Sequence, residues 1–172
     1  MATTPGPPPN YHTLLTNLLD AGITAGTRAE LLEPFPEYHT ITPGSPAWDC
    51  PGLFAWFGSI SPIRGPVSAT SIQGNQGSCG AIPVVNLTLL LLRCITVSPD
   101  GKTPVDVATR TYEGKRAAQD AEALMNELGS RWNAATLFDG LTCATVTFPS
   151  LSVSGPQGGY LGLSITVNVS GI

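Results

Sequence analysis

Apolar residues fall into blocks with two different spacings, and the spacings alternate between helix and strand along the chain. Leu14, Leu15, Leu18 and Leu19 recur at helical intervals, with Asn10 where an N-terminal cap belongs and Gly22 where a C-terminal cap belongs. This predicts a helix over Tyr11–Ala21 with one leucine face on a sheet. Thr24–Pro51 is Pro-rich and irregular, with a short strand around Tyr38–Thr42. Leu53–Ile60 reads as a strand, bulked by Phe54, Trp56, Phe57 and Ile60. Pro83–Val97 reads as a longer one. Its first parity carries Val85, Leu87, Leu89, Leu91, Arg93, Ile95 and Val97; its second sets Leu90, Leu92 and Cys94 among Asn86, Thr88 and Thr96. Apolar residues on both parities predict a central strand. Thr142–Phe148 alternates, with Ala144, Val146 and Phe148 on one face. Tyr160–Val169 alternates without a break, Leu161, Leu163, Ile165, Val167 and Val169 inward and Ser164, Thr166 and Asn168 outward. Gly155-Pro156-Gln157-Gly158-Gly159 joins these two as a hairpin loop.

Between the two strand pairs, Pro99-Asp100-Gly101 marks a turn. Thr103 then reads as a helix cap, Pro104 as the first helical residue and Asp106 as the acidic end of a capping box. The helix is expected to run to about Leu128 and stop at Gly129, with Ala117, Ala121, Leu124 and Leu128 on one face and Gly114 as a point of interruption. At 1.5 Å per residue, about 25 residues reach roughly 37 Å. Charge is concentrated here, in Arg110, Glu113, Lys115, Arg116, Asp120, Glu122 and Glu127, which predicts a solvated outer layer. The order is helix, strand, strand, long helix, strand, strand, without internal repeats. That predicts an α+β fold: a mixed, mainly antiparallel sheet of about four long strands, with the long helix and the N-terminal helix packed on it. One domain is expected over residues 1–172, with an extended arm at 1–10 and a long loop or hairpin arm at 61–81.

Charge changes this picture. Only 12% of the residues are charged, against roughly a quarter in an ordinary soluble domain. Mean hydropathy is nevertheless only +0.14, because Gly, Pro, Ser and Thr replace the charges. Between Arg64 and Arg93, and again from Gly140 to Ile172, there is no Asp, Glu, Lys or Arg. Such segments are covered on both faces, covered by neighbouring subunits, or present the neutral Ser/Thr/Gly surface of secreted and capsid-like proteins. The net charge of −4 opposes a nucleic-acid binder held by phosphate contacts. Met1–Pro9 has neither a basic region nor an apolar run, so no signal peptide is expected. Ile82–Val97 is too short for a membrane span and contains Arg93. Synthesis in the cytoplasm and no membrane association are the expectation.

Candidate chemistry is sparse. Cys50, Cys79, Cys94 and Cys143 show no C-x-x-C spacing, and His12 and His39 lie far apart, so no metal site is expected. In a reducing compartment most of the thiols should be buried; in an extracellular particle a Cys50–Cys79 bridge is an option. Gly74–Gly80 is glycine-rich but lacks the Lys-Ser/Thr ending of a phosphate loop and precedes a strand rather than following one. Ser78 stands in no nucleophile elbow, and Cys79 has no histidine placed beside it by spacing. Asp49 reads as a turn residue. Asn86-Leu87-Thr88 and Asn168-Val169-Ser170 match glycosylation acceptors by chance, inside strands. Trp48, Phe54, Trp56 and Phe57 read as an aromatic core cluster in preference to a ligand-stacking surface. No enzyme and no cofactor are expected.

The stretch Trp48-Asp49-Cys50, the aromatic strand, Cys79, the Leu-rich strand ending Leu92-Arg93-Cys94, the helix with Ala117, Ala118 and Asp120, and the closing Gly155–Gly159 hairpin resemble head–tail connector proteins of long-tailed (siphovirus-type) actinobacteriophages. Tyr160 occupies a position where that family often has a cysteine. The element order is similar to lambda-type tail terminators. The resemblance implies a virion protein at the tail–neck joint: a homo-oligomeric, hexameric ring that ends tail-tube polymerisation, with the tube protein below, a neck stopper or connector above, and genome DNA passing through without sequence-specific binding. Its subunit or lumen contacts are then expected at Arg64, Ile72, Gln73, Asn75, Gln76, Gln157 and Tyr160. A stopper, adaptor or tube protein is the alternative, and a secreted β-rich binding module the more distant one.

Overall fold

In the computed structural model, which describes residues 10–28, 30–47, 49–62, 83–138, 145–147 and 149–170, the element order is α1 (Tyr11–Gly26), β1 (His39–Ile41), β2 (Gly52–Pro62), β3 (Pro83–Cys94), α2 (Val107–Asn133), β4 (Thr145–Val146), β5 (Ser150–Gln157) and β6 (Tyr160–Ser170). The fold is α+β. The strands form one mixed sheet in the order β1-β2-β3-β6-β4, with β5 also paired to β6. Only β1–β2 is parallel; every other pairing is antiparallel. Central placement of β3 follows from its apolar residues on both parities.

The core lies between the two helices and one face of the sheet. Leu14, Leu15, Leu18, Ala21 and Ala25 of α1 meet Leu53 and Ala55 of β2, Val85, Leu87, Leu89 and Leu91 of β3, and Leu163, Ile165, Val167 and Val169 of β6. Ala123, Leu124 and Leu128 of α2 complete it. The alternation along β3 and β6 thus translates directly into burial.

The structure corrects several element boundaries. Helix α1 runs four residues past Gly22 and ends at Thr27. Gly22 is an approach point rather than a cap, since a Cβ there would stand 2.9 Å from a Leu53 methyl and 3.0 Å from a Leu89 methyl. Strand β3 stops at Cys94, where its partner β6 gives way to the Gly158–Gly159 turn; the Ile95 N–H still reaches the Gly159 carbonyl in register at 2.8 Å. Helix α2 starts three residues later than expected. Asp100 takes the Thr103 hydroxyl at 2.7 Å and the Lys102 and Thr103 N–H groups, so Thr103 is spent in a turn. Asp106 is itself the cap, accepting from the Thr109 N–H at 2.9 Å. The helix passes through Gly114 and Gly129 unbroken to Asn133. The strand expected at Thr142–Phe148 is reduced, among the described residues, to Thr145–Val146. Its place beside β6 is taken by β5, and only Gly158 and Gly159 form the turn, at φ 58° and 84°, as a tight two-residue hairpin requires.

Nor is α2 simply a solvated layer. Asp120 is 1% exposed and Glu113 is buried with it. Arg93, which the β3 parity sends inward, donates from Nε to Asp120 Oδ2 and from Nη2 to Oδ1, both at 2.9 Å. Its remaining donors reach the Pro34 carbonyl at 2.6 Å and the Glu33 carbonyl at 3.1 Å, and the guanidinium lies 5.3 Å from the Phe35 ring centroid. Arg116 bridges Glu33 at 2.7 Å and the Cys94 carbonyl at 2.7 Å. Burial pushes the Asp120 carboxyl above its usual range, against the pull of the two Arg93 bonds. Glu33 is held below its usual value of 4.5, first by the Arg116 bond and then by the Tyr112 hydroxyl.

Asp120→Ala leaves Arg93 buried without its counter-charge and is expected to cost about 3–5 kcal/mol in urea unfolding. An unchanged midpoint contradicts that role. Glu33 contributes stability that is present above pH 4.5 and lost as pH falls through its lower folded value. Glu33→Gln is therefore expected to lower stability at pH 7 and to flatten the fall in melting temperature below pH 4.5; equal slopes in the two proteins argue against it.

Candidate subunit interface

Both helices occupy one face of the sheet, and the register defines the other. The pairs Phe54–Leu90 and Gly52–Leu92 place β2 and β3 residues of one parity side by side. The row continues on β6 through Asn86–Asn168, Thr88–Thr166, Leu90–Ser164, Leu92–Gly162 and Cys94–Tyr160, and on β5 through Ser150–Thr166, Ser152–Ser164 and Ser154–Gly162. None of these residues carries a charge. Where β2 and β3 meet, Phe54, Leu90 and Leu92 form a second buried cluster, with Cys50 and Trp56 packed against it. Gly52 makes room for the Phe54 ring, 2.8 Å from where its Cβ would stand, and Tyr38 meets that ring edge-on at 5.7 Å. Toward β6 the face turns polar. The Asn86 side-chain amide donates to Asn168 Oδ1 at 3.0 Å, which gives both glycosylation matches a structural role in the sheet.

At one end of this face Tyr160 reaches from β6 across Cys94 of β3 and donates its hydroxyl to the Asp49 carbonyl at 2.8 Å. Burial raises the Cys50 thiol above its usual range, with Asp49 adding to the effect, and burial raises the Tyr160 phenol too. Both groups are therefore neutral at pH 7.

The sheet ends in a different kind of surface. Among the described residues no strand pairs with the outer edge of β5. The strand is exposed over nearly its whole length, its sequence SLSVSGPQ has no charge, and Val153 is 60% exposed. Natural sheets usually guard such edges with lysines or other inward-pointing charges. Here the guard is limited to Pro156 and an irregularity between Ser154 and Gln157. On the far side, β1 is a three-residue edge strand.

Of the expected contacts, the structure brings together Gln157 and Tyr160, which are register partners at the hairpin. Arg64, Ile72, Gln73, Asn75, Gln76 and Cys79 lie outside the described residues, as do Trp48 and the 1–9 arm. The expectation of buried thiols is corrected at Cys94, which is exposed at the end of β3, while Cys50 is half-buried. The aromatic residues divide between two sites: Phe54 and Trp56 on the helix-free face, Phe57 on the core side, where Tyr11 meets it edge-on at 5.7 Å. Among the described residues no group of three or more His, Cys, Asp or Glu is placed to hold a metal, and no helix is long and apolar enough to cross a membrane. Edge strand β5 escaped sequence reasoning, although the alternation Leu151, Val153 against Ser150, Ser152, Ser154 is present. No family model matches the chain, and no curated protein matches it.

Tyr160→Phe removes the bond that pins Asp49 and is expected to lower the midpoint of chemical denaturation slightly. A variant as stable as the parent shows that the bond carries no net stability.

Proposed function

We propose that the chain is a structural virion subunit that closes into a ring at the head-proximal end of a long phage tail, ending tail-tube polymerisation and joining tail to neck. One observation carries the reading: an uncharged, helix-free sheet face runs continuously into an open, uncharged edge strand. The resemblance of the Trp48–Cys94 region and the closing hairpin to siphovirus connector proteins supplies the setting.

Strand sense favours head-to-tail closure. Following the pairings across the sheet, β1, β2 and β6 run one way and β3 and β5 the other. A rotation about an axis along the strands preserves those senses. It brings β5 of one copy antiparallel to β1 of the next, the pairing that is slightly more stable per residue. Heterologous contacts of this kind generate rings when the rotation closes. The resemblance implies a hexamer, with the tail tube below it and the neck stopper above. Its net negative charge leaves genome DNA ungripped in the channel. A stopper or tube protein would use the same edges at another level of the virion, whereas a secreted binding module would remain monomeric.

Light scattering and negative-stain imaging of the purified chain, alone and mixed with cognate tail tubes, test this. Rings in solution or capping the tubes are expected. Val153→Lys, which places a charge on the exposed edge, is expected to abolish them while leaving the circular dichroism spectrum unchanged. A protein that stays monomeric at high concentration and leaves tube ends bare overturns the proposal.

A further inference from the structure

Two cysteines that lie 44 positions apart in sequence meet at one end of the helix-free face. Gly52, the first residue of β2, is paired with Leu92 in antiparallel register, and Cys50 stands two residues before it in a bend, at the end of β3 that carries Cys94 and close enough for the two thiols to act on each other electrostatically. A disulfide needs Cα atoms about 4.4–6.8 Å apart, the spacing of facing residues on neighbouring antiparallel strands. The Tyr160 bond fixes the same placement independently. Tyr160 is the β6 partner of Cys94, and its hydroxyl crosses β3 to the Asp49 carbonyl, one residue before Cys50. The phenol therefore lays the 49–50 segment over the end of β3 that carries Cys94. Cys50 also packs against the cluster of Phe54, Leu90 and Leu92, which turns its side chain to the same face. Both thiols are free in this structure.

We propose that Cys50 and Cys94 are a redox-closable pair that forms a cross-strand disulfide when the protein meets an oxidising small-molecule disulfide such as oxidised glutathione. Exposed Cys94 attacks first. Its thiolate forms a bond to one glutathione sulfur and expels the other glutathione as a thiolate. The Cys50 thiolate then attacks the Cys94 sulfur of that mixed disulfide and expels the second glutathione. The protein loses two protons and two electrons, and one oxidised glutathione becomes two reduced ones. Cys50 suits the second step: it is half-buried and its thiol is held protonated by burial and by Asp49, so it is a poor first nucleophile.

The closed loop takes in β2, the 63–82 segment and β3. Locking it ties the end of the β2–β3 pair that lies opposite the Pro62–Pro83 pair. Closure does not depend on the proposed ring, but it acquires a use there: a subunit assembled reduced in the cytoplasm is stapled once the particle is outside the cell.

The test incubates the full chain with oxidised glutathione, blocks remaining thiols, digests without reductant and maps linked peptides by mass spectrometry. The expected product joins Cys50 to Cys94, two hydrogens lighter than the separate peptides. The same link is expected in the Cys79→Ser/Cys143→Ser chain, with a melting temperature raised by about 5–10 °C and returned by reductant. Either thiol linked instead to Cys79 or Cys143 overturns the proposal, as does stable glutathione on both. Cys50→Ser is expected to leave Cys94 carrying one glutathione, and a Cys94 that stays unmodified in that variant contradicts the order of attack. The mapping is independent of oligomeric state, so failure of the ring reading and failure of this one are separate results.

Discussion

The helix side of the molecule is organised by one buried guanidinium. Arg93 sits at the last inward position of the central strand, and removing an arginine from water costs several kcal/mol unless its donors are met. They are met from three directions: the Asp120 carboxylate on α2 and the Glu33 and Pro34 carbonyls from the segment before β1. A single side chain thereby sets where α2 crosses the sheet and where the chain from α1 must return to begin β1. Phe35, under the guanidinium, also packs against the end of α1, where a Cβ on Gly26 would stand 2.7 Å from its ring. Among the described residues no buried side-chain nitrogen or oxygen is left without a partner, so the cost of burial is offset within this network.

That arrangement separates charge from the other face. Arg93, Arg116, Glu33, Glu113 and Asp120 are all drawn to the helix side, and Arg131 adds a second tie there, from α2 to Asp20 and Thr24 of α1 at 3.0 and 2.9 Å. What remains opposite is a sheet face of Ser, Thr, Asn, Cys, Leu and aromatic side chains. A neutral face of this kind has little long-range attraction for anything. Its affinity comes from shape, apolar area and backbone hydrogen bonds, which act only on contact.

Much of the fold was legible because alternation is a strong signal. In β3 and β6 nearly every inward position is a Val, Leu or Ile, so period and burial coincide. The helices were placed for the same reason, and their ends were missed where a side chain had competing work. Thr103 could cap a helix but is held by Asp100, and Gly22 could end one but serves close packing. Arg93 was visibly on a core parity, yet its partner was not readable, since no spacing rule links residues 93 and 120. The Cys50–Cys94 juxtaposition was hidden likewise: it depends on register across a hairpin whose arm has no periodicity. The uncharged segments pointed to the strands that make up the helix-free face. The edge itself was misread, because Ser150–Gln157 has small polar residues, a glycine and a proline where strands usually show bulk.

The composition that disguised β5 also suits it to the proposed assembly. A strand with serines on one side and little apolar bulk on the other contributes few side-chain contacts to its own domain, as its exposure shows. What it offers is main chain: a row of outward N–H and C=O groups that bulky or charged side chains would screen. Pairing through such groups is directional and fixes strand sense, but it is nearly indifferent to side-chain identity. Specificity must then come from geometry, in the twist of the sheet, the irregularity after Ser154 and the tight Gly158–Gly159 turn that ends the edge. An open edge of that design is hazardous in a free monomer, and in the proposed ring every copy would cover the edge of the next.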